Sequence, residues 1–167
     1  MTPPPAIVLI ALGSNLGDSA DAIRRALERL AVLSSTRMLG SSLWVTTPVE
    51  CPPGSPRFLN AAARLTSRPG DTPESFLGEL HAIEHALGRR PKQILNEARP
   101  IDLDLLAWGD ETRHTPVLVL PHPRAHLRRF VLEPLAEIAP DFRWPGQDRT
   151  IRELLGGLVT SEVVERI

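Results

Sequence analysis

Residues 6–12 (AIVLIAL) form an unbroken apolar run closed by Gly13, the pattern of a strand buried on both faces. GSNLGD at 13–18 reads as a turn, and Asp18 or Ser19 can cap the helix that follows. Ile23, Ala26, Leu27, Leu30 and Leu33 then recur at helical spacing. A strand is predicted from Thr36 to Thr46, with Trp44 near its end, and another from Phe58 to Ser67. The second helix opens with Thr72 as N-cap and Pro73 at the first helical position. It carries the stripe Phe76, Leu77, Leu80, Ile83 and Leu87, and stops at Gly88. Ile101 to Trp108 reads as a strand that Gly109-Asp110 folds back onto a partner near 117–120. Residues 125–137 suggest a short helix broken at Pro134, and two further short elements close the chain. The order β-α-β-β-α-β with C-terminal additions is the ferredoxin-like α+β pattern, an antiparallel sheet with helices on one face.

Two segments interrupt this pattern. Residues 47–57 (TPVECPPGSPR) hold four prolines, so they form neither helix nor central strand. A stiff loop of that length in a small domain suggests a task. Residues 89–100 carry Arg89, Arg90, Lys92 and Arg99 against the single acid Glu97.

Length and composition narrow the classes. The 167 residues make one domain, 1–167, and 42% hydrophobic with 23% charged residues is a globular balance. A net charge of −1 leaves no basic field for nucleic acid or an anionic membrane, so neither is an expected partner. Cys51 is the only cysteine, which excludes an intrachain disulfide and fits a reducing, cytoplasmic setting. The first apolar run is too short to span a bilayer and follows three prolines rather than basic residues, so it does not read as a secretory signal. Lys92, the only lysine, follows Pro91, so the chain has no Gly-Lys-Ser/Thr phosphate loop. If it binds a nucleoside triphosphate, arginines and a metal must hold it.

Candidate chemistry centres on Ile101-Asp102-Leu103-Asp104-Leu105. Strand periodicity sets Asp102 and Asp104 on one face and the aliphatics on the other. Aspartate is a poor strand former, and two on one face repel. A bound cation would relieve that cost, and paired carboxylates with phosphate oxygens suit Mg²⁺. A solvent-facing strand that carries two acids is the plain alternative. From Thr112 to Leu132 the chain has Arg113, Arg124, Arg128, Arg129, three histidines and no acid, either an anion site or a solvated basic surface. Glu84 sits at the edge of the second helix's stripe, paired, functional or reaching solvent. His81-Ala82-Ile83-Glu84-His85 also matches H-x-x-E-H, an inverted zincin pattern, but no third ligand stands out. Phe58 with Asn60, and Phe130 as a second face, could recognise a flat heterocycle beside the proline loop; ordinary loop packing is the alternative.

Together these segments resemble the 6-hydroxymethyl-7,8-dihydropterin pyrophosphokinases of folate biosynthesis. The resemblance rests on ALGSNLGD (11–18), TTPV (46–49), FLNAA (58–62), IE followed by GR (83–89), ARPIDLDLLAWG (98–109) and LPHPRAHLRRFVLEPLAEIAP (120–140). It implies transfer of pyrophosphate from ATP to the pterin hydroxymethyl oxygen with release of AMP, by a monomer. It implies two Mg²⁺ ions on Asp102 and Asp104, with Arg89 and Arg99 joining them as catalytic residues. It also implies pterin contacts from Thr47, Pro48, Val49, Phe58, Asn60, Asp102 and Phe130, and ATP contacts from His81, Glu84, Arg99, Leu105, His122 and Arg128. Residues 91–98 (PKQILNEA) depart from the family, which often has a tryptophan and further arginines there. The competing expectation is a non-catalytic ferredoxin-like module that binds a small ligand or a partner.

Overall fold

The first apolar run forms the centre of the sheet. In the computed structural model, which describes residues 4–46, 52–54, 56–91, 93–95 and 97–167, β1 (Ile7–Ser14) lies between β4 (Phe58–Thr66) and β5 (Asp102–Trp108), antiparallel to both. Val8, Ile10 and Leu12 are buried on one face and Leu9 on the other. The strand runs through Gly13 to Ser14 because Gly13 still pairs with Asn60 on one side and Asp102 on the other.

Helix α1 (Ser19–Val32) starts at Asp18, whose side chain accepts from the Asp21 amide, and buries Ile23, Ala26 and Leu30. Helix α2 (Pro73–Ala86) starts from a reciprocal Thr72–Ser75 capping box and buries Phe76, Leu80 and Ile83. Both pack on the face of Val8, Ile10 and Leu12, where Phe76 meets Trp108 edge-on at 5.5 Å between centroids.

The predicted strand over 36–46 is two short ones, β2 (Leu39–Gly40) and β3 (Trp44–Thr46), both paired with β4. The break has a long-range cause: the Ser42 amide and hydroxyl both donate to Glu137 (3.3 and 2.8 Å), far along the chain, instead of joining the sheet. The hairpin is also different from that expected. The partner of β7 (Val119–Leu120) is β6 (Arg113–His114), a separate two-stranded piece, while β5 uses its ladder on β1.

Helix α3 (Arg129–Ile138) follows a 3₁₀ turn (Ala125–Leu127) and continues past Pro134 without a break. One lost amide is tolerated because Val131, Leu132, Leu135 and Ile138 anchor the helix by burial. The C-terminal part supplies four elements rather than two: β8 (Arg143–Trp144), β9 (Arg149–Thr150), α4 (Ile151–Gly156) and β10 (Val164–Arg166). Strand β10 joins the main sheet beside β3, giving the order β10-β3-β4-β1-β5. Helices therefore cover both faces, with α3 and α4 packed over Leu9, Ala62, Leu106 and Ala107.

Strand β5 contains a bulge that serves this division. Leu9 pairs with Ala107 and Ile10 with Leu105, so Leu106 is the extra residue. Leu106 and Ala107 consequently share the α3 face, and Leu105 and Trp108 the α1–α2 face. No helix among the described residues is long and apolar enough to cross a membrane.

Candidate active site

Sheet register assembles the site. Asn60, Gly13 and Asp102 stand in one row across β4, β1 and β5, with Trp44 of β3 at its end. Alternation from this row places Phe58, Asn60, Asp102 and Asp104 on the α3 face, beyond the part that α3 covers. A pocket opens there, lined by Phe58, Asn60, Thr46, Phe130, Asp102 and Asp104 among others. Gly13 is needed for the packing of its floor: a Cβ there would lie 3.2 Å from Asn60 Oδ1 and 3.6 Å from Phe58 Cδ1. Asn60 is buried, and its Nδ2 donates to Thr46 Oγ1 at 2.7 Å. That bond fixes which way the amide points and leaves Oδ1 as an acceptor on the Gly13 side.

Both aromatic rings carry a guanidinium. Arg99 lies over Phe58 at 5.3 Å from the centroid and Arg128 over Phe130 at 5.5 Å, within cation–π range. Each arginine is thus held at the rim of the pocket that its ring helps to line.

A second groove runs along the other side of the aspartates, bordered by His81, Glu84, Arg89, Leu105, Val117 and Val119. Asp102, Asp104 and His122 line both spaces, so the acidic pair stands at their seam. Burial, and next to it the charge of Asp102, push the Asp104 carboxyl up to about 7. A site that holds a carboxylate so reluctantly without a counter-ion fits a divalent cation. Hard carboxylate oxygens facing a cationic rim are the donor type that Mg²⁺ takes when phosphates complete its shell.

Glu84 is neither solvent-reaching nor a zinc-site base. It is buried, and its Oε2 accepts from Arg89 Nη1 at 2.5 Å and from the Leu103 amide at 2.8 Å. Desolvation still raises its carboxyl, against the pull of the Leu103 amide and Arg89. The same Arg89 nitrogen donates to Asp102 Oδ1 at 2.5 Å. Arg89 is thus a bridge between helix α2 and one member of the acidic pair. His81 and His85 are exposed on the helix, and among the described residues no three His, Cys, Asp or Glu side chains converge as a metal site.

His122 is pressed by burial first, then by Arg128 and Arg124, down to about 4, so it is neutral at pH 7. Its Nδ1 accepts from the Arg124 amide at 3.1 Å, which assigns the ring proton to Nε2. A neutral N–H donor between two arginines suits an anionic oxygen.

Of the residues predicted from sequence, Phe58, Asn60, Arg99, Asp102, Asp104, His122, Arg128 and Phe130 share the pocket. Arg89, His81, Glu84 and Leu105 border the groove, and Leu105 belongs also to the core. Thr47, Pro48 and Val49 lie outside the described residues, as do Cys51 and Lys92.

Sequence reasoning missed Asn15, which is buried and ties three segments together. Its Oδ1 accepts from the Arg99 amide at 2.8 Å, its own amide donates to the Arg99 carbonyl at 3.1 Å, and Nδ2 donates to the Pro56 carbonyl at 3.3 Å. The signal was present in GSNLGD, where a turn alone needs no amide at that place. Asn15→Ala is expected to lower stability by about 1–3 kcal/mol, the cost of unpaired buried groups. It should also slow turnover through a displaced Arg99. Thermal unfolding and steady-state rates check both.

An aromatic pocket with two arginines, joined through two carboxylates to a groove that Arg89 borders, suits a group-transfer enzyme that brings a flat ring up to a metal-held phosphate. Comparison with known proteins sharpens this. Residues 9–140 match the family described as 7,8-dihydro-6-hydroxymethylpterin-pyrophosphokinase (HPPK), and the chain belongs to that family. The 2-amino-4-hydroxy-6-hydroxymethyldihydropteridine pyrophosphokinase of Pseudomonas aeruginosa is 37% identical over 161 residues, 96% of each chain. The protein of the same name from Methylorubrum extorquens is 39% identical over 158 residues, 95% of this chain and 96% of that one. The fold is shared with wild-type Plasmodium falciparum HPPK-DHPS (TM-score 0.72, 15% identity), covering 93% of this chain and 44% of that longer one.

Proposed function

We propose that this chain catalyses Mg²⁺-dependent transfer of pyrophosphate from ATP to the hydroxymethyl oxygen of 6-hydroxymethyl-7,8-dihydropterin, giving the pterin diphosphate and AMP in folate biosynthesis. The observation that carries the reading is the position of Asp102 and Asp104, at the seam shared by the Phe58–Phe130 pocket and the Arg89–His122 groove. An alcohol held in the first space meets a polyphosphate held in the second at that point.

The roles follow from the chemistry of each side chain. Phe58 and Phe130 stack on the pterin after the guanidiniums withdraw from their faces, and Asn60 Oδ1 accepts from a ring N–H. Thr47, Pro48 and Val49 are assigned to the pterin by the family resemblance alone. Arg99 and Arg128 reach phosphate oxygens from the aromatic-pocket side and the His122 Nε2–H from the seam, while His81 and Leu105 border the nucleoside. Glu84 acts on the nucleotide side by holding Arg89. Asp102 and Asp104 would hold two Mg²⁺ ions with the phosphates, and the metal supplies neutralisation of charge on the transferring group. The pterin hydroxyl oxygen bonds to the β-phosphorus and gives up its proton to solvent as the bond between the β-phosphorus and the α-phosphate oxygen breaks and AMP leaves, so alignment and charge supply the rate. The reading takes the working unit as a cytoplasmic monomer whose partners are ATP and the pterin, with no nucleic acid and no membrane.

The test is a product assay with ATP, Mg²⁺ and 6-hydroxymethyl-7,8-dihydropterin, separated by chromatography. Pterin-dependent AMP that disappears with EDTA is expected. ADP would make the chain an ordinary kinase, and pterin binding without turnover would make it a binding module.

A further inference from the structure

Helix α3 begins without a cap of its own. Arg128 occupies its N-cap position and makes no side-chain hydrogen bond to the first turn, which also contains no acid. The acceptor arrives from the C-terminal segment: Glu162 Oε2 accepts from the Arg129 amide at 3.0 Å. The same oxygen accepts from the Thr160 hydroxyl at 3.1 Å, and Thr160 Oγ1 accepts from the Glu162 amide at 3.3 Å. This small ring fixes the approach of the carboxylate, whose other oxygen is enclosed with no protein partner among the described residues. A negative group at this end also complements the helix dipole.

Immediately afterwards β10 pairs with β3, Val164 opposite Thr46, and the Ile167 amide donates to the Leu43 carbonyl at 3.0 Å. One tail therefore secures two parts of the aromatic pocket. It holds the start of α3, which carries Arg128 and Phe130, and the end of β3, whose Thr46 holds Asn60. The residues matched to the family stop at 140, so this clasp lies beyond them.

We infer that Glu162 is a positioning residue for the substrate pocket, pinning the first turn of α3 so that Arg128 and Phe130 keep their places in the wall shared with Phe58. The kinetic side of this inference rests on the pterin pyrophosphokinase reading; the structural side does not. Glu162→Ala, Glu162→Gln and Thr72→Ala are compared by steady-state kinetics, thermal unfolding and amide hydrogen exchange. Glu162→Ala should raise the pterin KM about five- to tenfold, a lost helix cap expressed at tenfold per 1.4 kcal/mol. Its kcat should stay within about twofold, because the aspartates on β5 are untouched and only substrate binding weakens. Exchange at the Arg129 amide should quicken. Glu162→Gln, which keeps an acceptor oxygen, should restore most of both. Thr72→Ala removes the cap of α2, on the other face of the sheet, and should lower the melting temperature while leaving KM alone.

An unchanged KM in Glu162→Ala, or an equal rise in Thr72→Ala, would overturn the positioning role. Should the parent protein form no pterin diphosphate, the functional reading falls, and unchanged exchange at Arg129 would separately overturn the pin.

Discussion

Asp102→Ala and Asp104→Ala should each fold and yet form AMP at less than about a thousandth of the parent rate, the scale on which phosphoryl-transfer enzymes lose rate when a charge-stabilising group is removed. Asp104 adds a sharper expectation, because its environment disfavours the charge that function needs. Burial first and the Asp102 charge second push it up to about 7, against an ordinary value of 3.8. Between those values the folded protein holds a proton that the unfolded chain has released. Stability therefore falls as pH rises through that window, and the deficit is complete above pH 7. Asp104→Asn removes the deficit. Its melting temperature without Mg²⁺ should exceed the parent's at pH 8, by about 2–4 °C for each kcal/mol recovered in a domain of this size, and match it near pH 4. Mg²⁺ at pH 8 should raise the parent's melting temperature and not the variant's. A variant that loses activity while gaining stability is the signature of a residue kept for chemistry at the expense of the fold. Normal AMP formation in either alanine variant would remove the aspartates from the reaction.

The acidic pair was legible in the sequence because it breaks a local rule: two aspartates alternate with aliphatics inside a strand. Phe58, Asn60 and Phe130 were legible only together with the family resemblance, since nothing local separates a stacking ring from a packed one. The central strand and both helices on its first face were readable from period and caps alone. The non-local features were not readable. Strand β10 exists because the edge of β3 is free to receive it, and its three residues carry no pattern of their own. The bulge at Leu106 is a register event between β1 and β5, invisible in β5 by itself. Pro134 misled for a related reason, because its cost is outweighed by burial that depends on the sheet face beneath α3. Asn15 and Glu162 act across 84 and 33 positions respectively, so only the folded chain reveals what they hold.

Arg89→Ala should cost the fold more than any other single change in the site, about 3–5 kcal/mol, because it strands a buried carboxylate. Glu84 Oε2 receives both the Arg89 guanidinium and the Leu103 amide, and Asp102 shares the same arginine nitrogen. Removing the cation leaves Glu84 with one neutral donor and Asp102 with no bridge to α2. The pH dependence identifies the cause. Burial already raises the Glu84 carboxyl, with Leu103 and Arg89 opposing it. Without Arg89 the folded value climbs further above the unfolded one, so the loss is largest at neutral and higher pH and shrinks as acid protonates Glu84. Denaturant unfolding at pH 5 and pH 8 should show this narrowing. Glu84→Gln in the Arg89→Ala background keeps an oxygen for the Leu103 amide and removes the stranded charge, so much of the lost stability should return. Activity should not return with it, because Asp102 still lacks its guanidinium and the groove its cation. If activity did recover alongside stability, Arg89 would be only the counter-ion of Glu84, and its assignment to the reaction would have to be withdrawn.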